Sequence, residues 1–203
     1  MQRRLAAIVS ADVQGYSRLM GEDELATVRT LMEYRDLMGT LIRERGGRVV
    51  DSPGDNLLAE FPSAVDALRC GLEVQRVLAD RAAGLPDDRR LLYRIGLHLG
   101  DVAVEEARIY GDGVNVAARL QTLAEPGGIC LSAAIHDNVQ GRVDLPFVDL
   151  GEQSLKNFPR PVRAFRIGGA ATVASSPRVE PIDRPSLVVL PFVNVSGDAE
   201  QEY

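Results

Sequence analysis

The sequence contains almost no lysine. Lys156 is the only lysine among 203 residues, and every other basic side chain is arginine or histidine. A lysine ammonium is a compact point charge, whereas an arginine guanidinium is a planar fork, so the two are not equivalent in a binding site. Lys156 is therefore a candidate for a position that needs a compact charge. The alternative is an ordinary surface lysine in a chain whose composition follows the source genome.

Cysteine and long apolar runs are also scarce. Cys70 and Cys130 are the only cysteines and lie in apolar surroundings, which predicts small buried side chains in a reducing compartment rather than a disulfide framework. No apolar run approaches the roughly 20 residues that span a bilayer, and no charged-then-apolar leader follows Met1. We expect a cytoplasmic protein without a membrane partner.

Several catalytic motifs are missing. The absence of a Gly-rich Walker loop and of a dinucleotide fingerprint argues against P-loop and Rossmann enzymes, and no exposed nucleophile motif supports Ser/His/Asp hydrolysis. His98 and His136 lack metal-ligand spacing, so we interpret both as structural or surface residues. A net charge of −6 argues against a nucleic-acid partner, because such proteins usually present a basic face.

The composition changes once along the chain. Beyond Gly168 the sequence becomes rich in Ala, Ser, Pro and Arg, and a strand-like apolar run follows at 186–192. We predict a catalytic domain over 1–168, a linker over 169–184 and the start of a truncated downstream module over 185–203.

The apolar periodicity predicts an α+β domain. Residue patterns indicate, in order, a strand at 5–10, a loop around Gly15, a helix at 22–45, a hairpin at 48–61, a helix capped by Ser63, a strand at 92–104 that breaks at Gly100-Asp101, a helix at 111–123 capped by Asp112, a strand at 129–131, a short helix capped by Ser132, and strands up to Ile167. This order predicts a ferredoxin-like βαββαβ core with extra C-terminal strands.

Two carboxylates are the candidate metal ligands. Asp55 follows the Pro53-Gly54 turn of the hairpin, where the absence of a Cβ on Gly54 lets a bulky ligand approach the backbone. Asp12 follows the predicted first strand. If the two strands are neighbours, the carboxylates converge, and two hard oxygen ligands with open positions suit Mg²⁺ or Mn²⁺ carrying a phosphate.

Three motifs carry a resemblance to a known family. They are ADVQGYS at 11–17, GD at 54–55 and YGDGVNVAARL at 110–120. With the predicted order of elements, they resemble the catalytic domain of class III nucleotidyl cyclases, the adenylate/guanylate cyclase family, over residues 4–167. The tail at 185–203 is similar to the start of the module that follows this domain in many bacterial cyclases with helical repeats.

The resemblance implies a role for each matching residue. It implies a nucleoside triphosphate substrate and two metal ions per site, Mg²⁺ or Mn²⁺, held by Asp12 and Asp55. Asn115 and Arg119 would orient the ribose and stabilise the transition state. Lys156 would contact the terminal phosphates. The loop that cradles the triphosphate would comprise Val13, Gln14, Gly15, Tyr16 and Ser17. It also implies a C2 homodimer, because in this family each site combines metal residues of one protomer with the Asn/Arg helix of the other.

Two positions depart from the adenylate cyclase pattern. Where that pattern has a lysine before the second metal aspartate and an aspartate before the third helix, this chain has Asp51 and Arg108, so the charges are exchanged. The pair could read guanine, which offers an acceptor at O6 and donors at N1 and N2; it could instead form an interface ion pair while ATP remains the substrate. Family frequency favours ATP, and the base-edge argument favours GTP. A third interpretation is a degenerate cyclase domain that binds a nucleotide or serves dimerisation and signalling.

Overall fold

The computed structural model describes residues 2–105, 108–156 and 158–168; the predicted linker and downstream module lie outside the described residues. The strands are β1 Gln2–Val13, β2 Arg48–Asp51, β3 Leu57–Phe61, β4 Tyr93–Glu105, β5 Arg108–Tyr110, β6 Ile129–Ser132, β7 Val148–Gln153 and β8 Val162–Ile167. The helices are α1 Tyr16–Glu22, α2 Glu24–Glu44, α3 Ala64–Ala82, α4 Asp112–Leu123 and α5 Ala133–Val139.

All strands belong to one sheet with the order β2-β3-β1-β4-β6-β8-β7, and β5 pairs with β4 beside this path. Among the strands that the structure describes, β4 and β6 alone pair in parallel. The pairings of the two edge strands, β2 with β3 and β7 with β8, each contain a register shift. The α+β class and the βαββαβ core with extra C-terminal strands are confirmed.

The sheet is covered on both faces, and β1 directs apolar side chains to each of them in alternation. Ala7, Val9 and Ala11 point into the main core, which α2, α3 and α5 complete. Ala6 and Ile8 point to the opposite face and pack in a second cluster with Ala117 of α4. The alternation predicted one covered face for β4; the second face is covered as well, by α4.

A buried carboxylate fixes the hairpin beside β1. Glu60 of β3 is only 3% exposed and accepts hydrogen bonds from Arg4 of β1, at 2.5 Å, and from Arg48 of β2. Since a buried charge is costly unless it is paired, this bridge stabilises the alignment of β1, β2 and β3.

The N-terminal elements differ from the predictions. β1 extends to Val13, so Asp12 lies within the strand rather than after it. The expected loop after Gly15 is mostly the short helix α1, and the predicted helix at 22–45 begins only at Glu24. The break between α1 and α2 has a local cause, because the side chain of Asp23 accepts a hydrogen bond from the N–H of Ala26 and caps α2.

Further corrections concern β4 and two helix caps. The pairing of β4 with β1 runs through Gly100-Asp101 without a register shift, so the predicted break is wrong. Gly111, not Asp112, is the N-cap of α4. Ser132 precedes α5 but makes no side-chain capping bond, because its hydroxyl is hydrogen bonded to His98. The predicted cap at Ser63 is confirmed by a 3.2 Å bond from the N–H of Asp66. No helix within the described ranges has the length and apolar character to cross a bilayer.

Candidate functional site

The two predicted metal carboxylates lie at one corner of the sheet. Asp55, in the turn between β2 and β3, accepts a hydrogen bond from the backbone N–H of Val13 at 3.2 Å. Asp12 is the neighbour of Val13 on β1, so this bond brings Asp55 beside the strand end that carries Asp12. The central position of β1, between β3 and β4, therefore brings these distant parts of the sequence together.

The turn that carries Asp55 is defined by its backbone. Gly54 has a φ of +58°, which L side chains rarely adopt, and Asn56 donates its N–H to the carbonyl of Pro53 at 3.0 Å. The turn is tight, and Asp55 remains partly exposed at its end.

Arg94 is a functional candidate that the sequence interpretation missed. It lies opposite Asp12 in the β1–β4 register, and its guanidinium donates two hydrogen bonds to that carboxylate, Nε to Oδ1 at 2.9 Å and Nη2 to Oδ2 at 2.5 Å. The pair is half-buried, with the side chains 20% and 15% exposed. The available signal was a charged residue on the polar side of a strand; its partner depends on the strand register.

The corner fits a divalent cation. Asp55 is held by one hydrogen bond and Asp12 by two, and both present hard carboxylate oxygens, the ligand type preferred by Mg²⁺ and Mn²⁺. Within the described residues, no group of three or more His, Cys, Asp or Glu side chains is arranged to hold a metal, so the remaining ligands would have to come from substrate and water. Arg94 occupies oxygens of Asp12 and would have to yield at least one of them.

The predicted phosphate cradle divides between a turn and a helix. Gly15 has a φ of +70° and is the N-cap of α1, whose first residues are Tyr16 and Ser17. Gln14 donates its N–H to the carbonyl of Leu92 at 2.9 Å, which ties the turn to the start of β4. Tyr16 is partly buried against the main core, whereas Gln14, Gly15 and Ser17 are exposed. The cradle residues thus follow directly on the carboxylate corner.

The predicted transition-state residues lie on the outer side of α4. Asn115 and Arg119 are exposed and one helical turn apart, whereas Ala117 and Gln121 are buried against the sheet. In the part of the chain that the structure describes, no hydrogen bond or ion pair joins either exposed side chain to Asp12 or Asp55. A single chain therefore does not assemble the full predicted site.

Lys156 is also distant from this corner in the fold. It is exposed in the connection between β7 and β8, at the sheet edge opposite β2. Within one chain, Lys156 therefore lies at the β7 edge of the sheet, whereas Asp55 lies beside the β2 edge.

The two exchanged charges, Asp51 and Arg108, lie in neighbouring parts of the fold. Asp51 ends β2 and Arg108 begins β5, and these two strands are in contact. Both side chains are exposed, and Asp51 accepts a hydrogen bond from the N–H of Ser52 at 2.8 Å. Among the described residues no ion pair joins Asp51 to Arg108, so within one chain both remain available to a ligand or a second protomer.

His98 lies under the first turn of α4, not on the surface. Its ring lies against Gly100 and Gly113, where an added Cβ would come within 2.9 Å and 3.3 Å of the ring. Its Nδ1 is hydrogen bonded to the hydroxyl of Ser132 at 3.0 Å. Burial lowers the pKa of His98 to about 4 from 6.5, so the ring is neutral at neutral pH. A structural role is thus supported for His98, which packs between β4 and α4.

Comparison with known proteins identifies the family. The profile of the adenylate and guanylate cyclase catalytic domain matches residues 2–168. The chain belongs to this family. The cyclase domain therefore comprises the whole described sheet and its helices.

Two solved structures resemble the cyclase domain. An adenylate/guanylate cyclase/hydrolase from Silicibacter pomeroyi is 45% identical, with a TM-score of 0.78 over 82% of this chain and 98% of that chain. The adenylyl cyclase CyaB from P. aeruginosa is 25% identical, with a TM-score of 0.71 over 82% of this chain and 94% of that chain.

Curated relatives are longer than this chain. A Rhizobium meliloti protein named "Putative adenylate cyclase 3" is 44% identical over 100% of the chain, which spans 36% of that protein. A Mycobacterium tuberculosis protein, Rv0891c, is 35% identical over 76% of the chain and 52% of its own length. The chain therefore corresponds to about a third to a half of these relatives.

Proposed function

We propose that the domain converts a nucleoside triphosphate to its 3′,5′-cyclic monophosphate and pyrophosphate, with Mg²⁺ or Mn²⁺, at two composite sites of a homodimer. The observation that carries this proposal is the bond from Val13 to Asp55, which holds the two carboxylates at one corner beside the phosphate cradle. ATP is favoured by family frequency, and GTP remains the alternative substrate because of Asp51 and Arg108.

The reaction is an in-line displacement. The ribose 3′-oxygen forms a bond to the α-phosphorus, the bond from that phosphorus to the bridging oxygen of pyrophosphate breaks, and the 3′-hydroxyl loses its proton. Bound Mg²⁺ or Mn²⁺ at Asp12 and Asp55 would stabilise negative charge on the attacking and leaving oxygens. The protein must supply orientation and further positive charge.

The side chains of this chain fit those needs. Before substrate binds, the guanidinium of Arg94 compensates the negative charge of Asp12. Once the nucleotide occupies the corner, the same guanidinium can hydrogen bond to a phosphate oxygen instead, since guanidinium binds both carboxylate and phosphate. Asn115 would orient the ribose, and Arg119 would stabilise charge on the reacting phosphate. Lys156 would contact the terminal phosphates. The backbone of 13–17 would enclose the triphosphate.

A second copy of the chain would complete the site. Asn115 and Arg119 point outward from α4, so they can act on a nucleotide held at the corner of another protomer. A two-fold axis would then generate two equivalent sites, each with Asp12 and Asp55 from one chain and α4 from its partner. Sedimentation at micromolar concentration should show a dimer; a monomer with full activity would contradict this arrangement.

Turnover of ATP and GTP with Mg²⁺ and with Mn²⁺ tests the proposed activity. Asp55→Ala and Arg119→Ala should each abolish cyclic nucleotide formation, while Asp80→Ala, which removes an exposed carboxylate from α3, should not. If the sites are composite, mixing the two inactive variants should restore activity. Equal mixing places one intact site in half of the dimers, so about a quarter of the parent activity is expected.

The second candidate function is a degenerate domain that binds nucleotide or only dimerises. The exchanged charges at Asp51 and Arg108, together with the pairing of Asp12 by Arg94, favour it. Dimerisation without product from either nucleotide, in either metal, would support this function over catalysis.

A further inference from the structure

One buried hydrogen bond connects β1 to α4. The hydroxyl of Ser10 donates to Oε1 of Gln121 at 2.5 Å, across 111 residues of sequence. Both residues are almost fully buried, with 7% and 4% of their surfaces exposed. A bond between two neutral side chains in such a place is directional, so it defines where the helix lies along the strand.

The same place is where α4 approaches the sheet most closely. Gly96 of β4 is the register partner of Ser10. A Cβ on Gly96 would lie 2.1 Å from the carbonyl oxygen of Ala117 and 2.4 Å from the backbone nitrogen of Gln121. The helix backbone therefore lies directly on β4, and Ser10 provides the polar contact beside it.

The bond lies between two parts of the proposed machinery. Ser10 precedes Asp12 by two positions, so both point to the same face of β1. Gln121 follows Arg119 by two positions on α4, so the two side chains lie on opposite sides of the helix. Gln121 is buried against the sheet, and Arg119 is exposed on the outer side. No catalytic atom is touched by either member of the bond.

We propose that Ser10 and Gln121 are positioning residues: their hydrogen bond sets α4 relative to β1 so that Asn115 and Arg119 reach the reacting phosphate in the partner's site. This inference rests on the proposed cyclase function. In the proposed two-fold dimer, each such bond joins the strand that would hold metal in one site to the helix that would serve the other site.

The expected effect is on turnover rather than on substrate binding. Groups that act only on the transition state change kcat, and small displacements of such groups have large effects. Ser10→Ala should lower kcat about tenfold while KM changes less than about twofold, because the corner that binds the triphosphate is retained.

A matched pair of substitutions separates positioning from general packing. Gln75 of α3 is as buried as Gln121, at 4% exposure, and donates to the carbonyls of Tyr93 and Gly128 at 2.9 Å. Gln75→Leu and Gln121→Leu should both lower the thermal midpoint of unfolding. Only Gln121→Leu should also lower kcat, and equal losses of kcat in both variants would overturn the inference.

Mixed dimers locate the effect. A dimer of an Asp55→Ala chain with an Arg119→Ala chain has one intact site, to which the Asp55→Ala chain contributes α4. Ser10→Ala placed in that chain should lower the kcat of the mixed dimer about tenfold, whereas in the Arg119→Ala chain it should change kcat less than about twofold. The reverse pattern would show that Ser10 acts on Asp12 instead, and would overturn the inference.

An activity-independent measurement keeps the two proposals distinct. Absence of cyclic nucleotide from the parent protein would overturn the proposed function, and the positioning role with it. If the parent is active, Ser10→Ala should raise amide hydrogen exchange across α4 but not across α3. Unchanged exchange in α4 together with unchanged kcat would overturn the positioning role and leave the cyclase function intact.

Discussion

Arg94 and Asp12 form a two-point ion pair across the neighbouring strands β4 and β1. The pair is only partly exposed, so its charges are screened less than those of a surface pair. A metal ion bound at Asp12, as proposed, would compete with the guanidinium for the same carboxylate oxygens, which makes this contact the first place to test.

Arg94→Met should increase the affinity of the protein for Mn²⁺ in the absence of nucleotide. The substitution removes a cation that competes for Asp12, and we expect the Kd to fall at least about fivefold. Cyclic nucleotide formation should nevertheless decrease, because the triphosphate loses a positive partner. Titration of Mn²⁺ followed by electron paramagnetic resonance measures the first effect. Arg76→Met, which removes an exposed ion-paired arginine from α3, should leave the Kd unchanged.

Gly96→Ala should destabilise the domain by more than about 2 kcal/mol. The added Cβ would meet the backbone of α4 at 2.1 Å, which cannot give way as a flexible side chain can. Urea unfolding measures the change. Gly84→Ala is the matched control because a Cβ there meets nothing within 4 Å, and it should change the free energy of unfolding by less than about 0.5 kcal/mol. Equal effects at both glycines would contradict the close seating of α4.

His98 should make stability depend on pH in a defined window. Its folded pKa, about 4, lies below the unfolded value near 6.5, so the unfolded chain binds more protons between these values. Stability is therefore fully present above pH 6.5 and is lost as the pH falls toward 4, by up to about 3 kcal/mol.

His98→Gln isolates this contribution, because glutamine can bond to Ser132 but does not titrate. The measurement is the free energy of unfolding of both proteins from pH 4.5 to 7.5. The advantage of the parent over the variant should shrink as the pH falls. Parallel curves would show that His98 does not carry the dependence.

Exchanging the charges at Asp51 and Arg108 should change the substrate preference. If Asp51 and Arg108 recognise guanine, the double substitution Asp51→Lys with Arg108→Asp removes both partners of the base and should raise the kcat/KM ratio of ATP over GTP at least about tenfold. Steady-state assays with both nucleotides measure the ratio. The double substitution Asp149→Arg with Arg163→Asp exchanges an exposed pair on β7 and β8 and should leave the ratio unchanged.

The sequence predicts those features that depend on local pattern. The alternation from Tyr93 to Leu99 predicts β4, and Ser63 predicts the start of α3, because both signals lie within a few residues. α1 has seven residues, about two helical turns, which is too short to establish an apolar periodicity, so the sequence predicts a loop there. Gly111 and Asp112 are adjacent, and only the backbone conformation decides which one caps α4.

The contacts that build the candidate site are long-range. Arg94 meets Asp12 because of the β1–β4 register, 82 residues apart in sequence. Ser10 meets Gln121 only once α4 lies on Gly96. The motifs single out Asp12 and Asp55 as candidate ligands, whereas the hydrogen-bond partners of both residues follow only from the fold.

The irregular outer strands bear on how copies of this protein associate. β2 and β7, at the two ends of the order of described strands, both contain a register shift, β2 against β3 and β7 against β8. Such shifts twist the free backbone groups of an outer strand away from the plane in which another strand would bind. Lateral extension of the sheet from molecule to molecule is thereby disfavoured, and self-association is directed to surfaces formed by side chains.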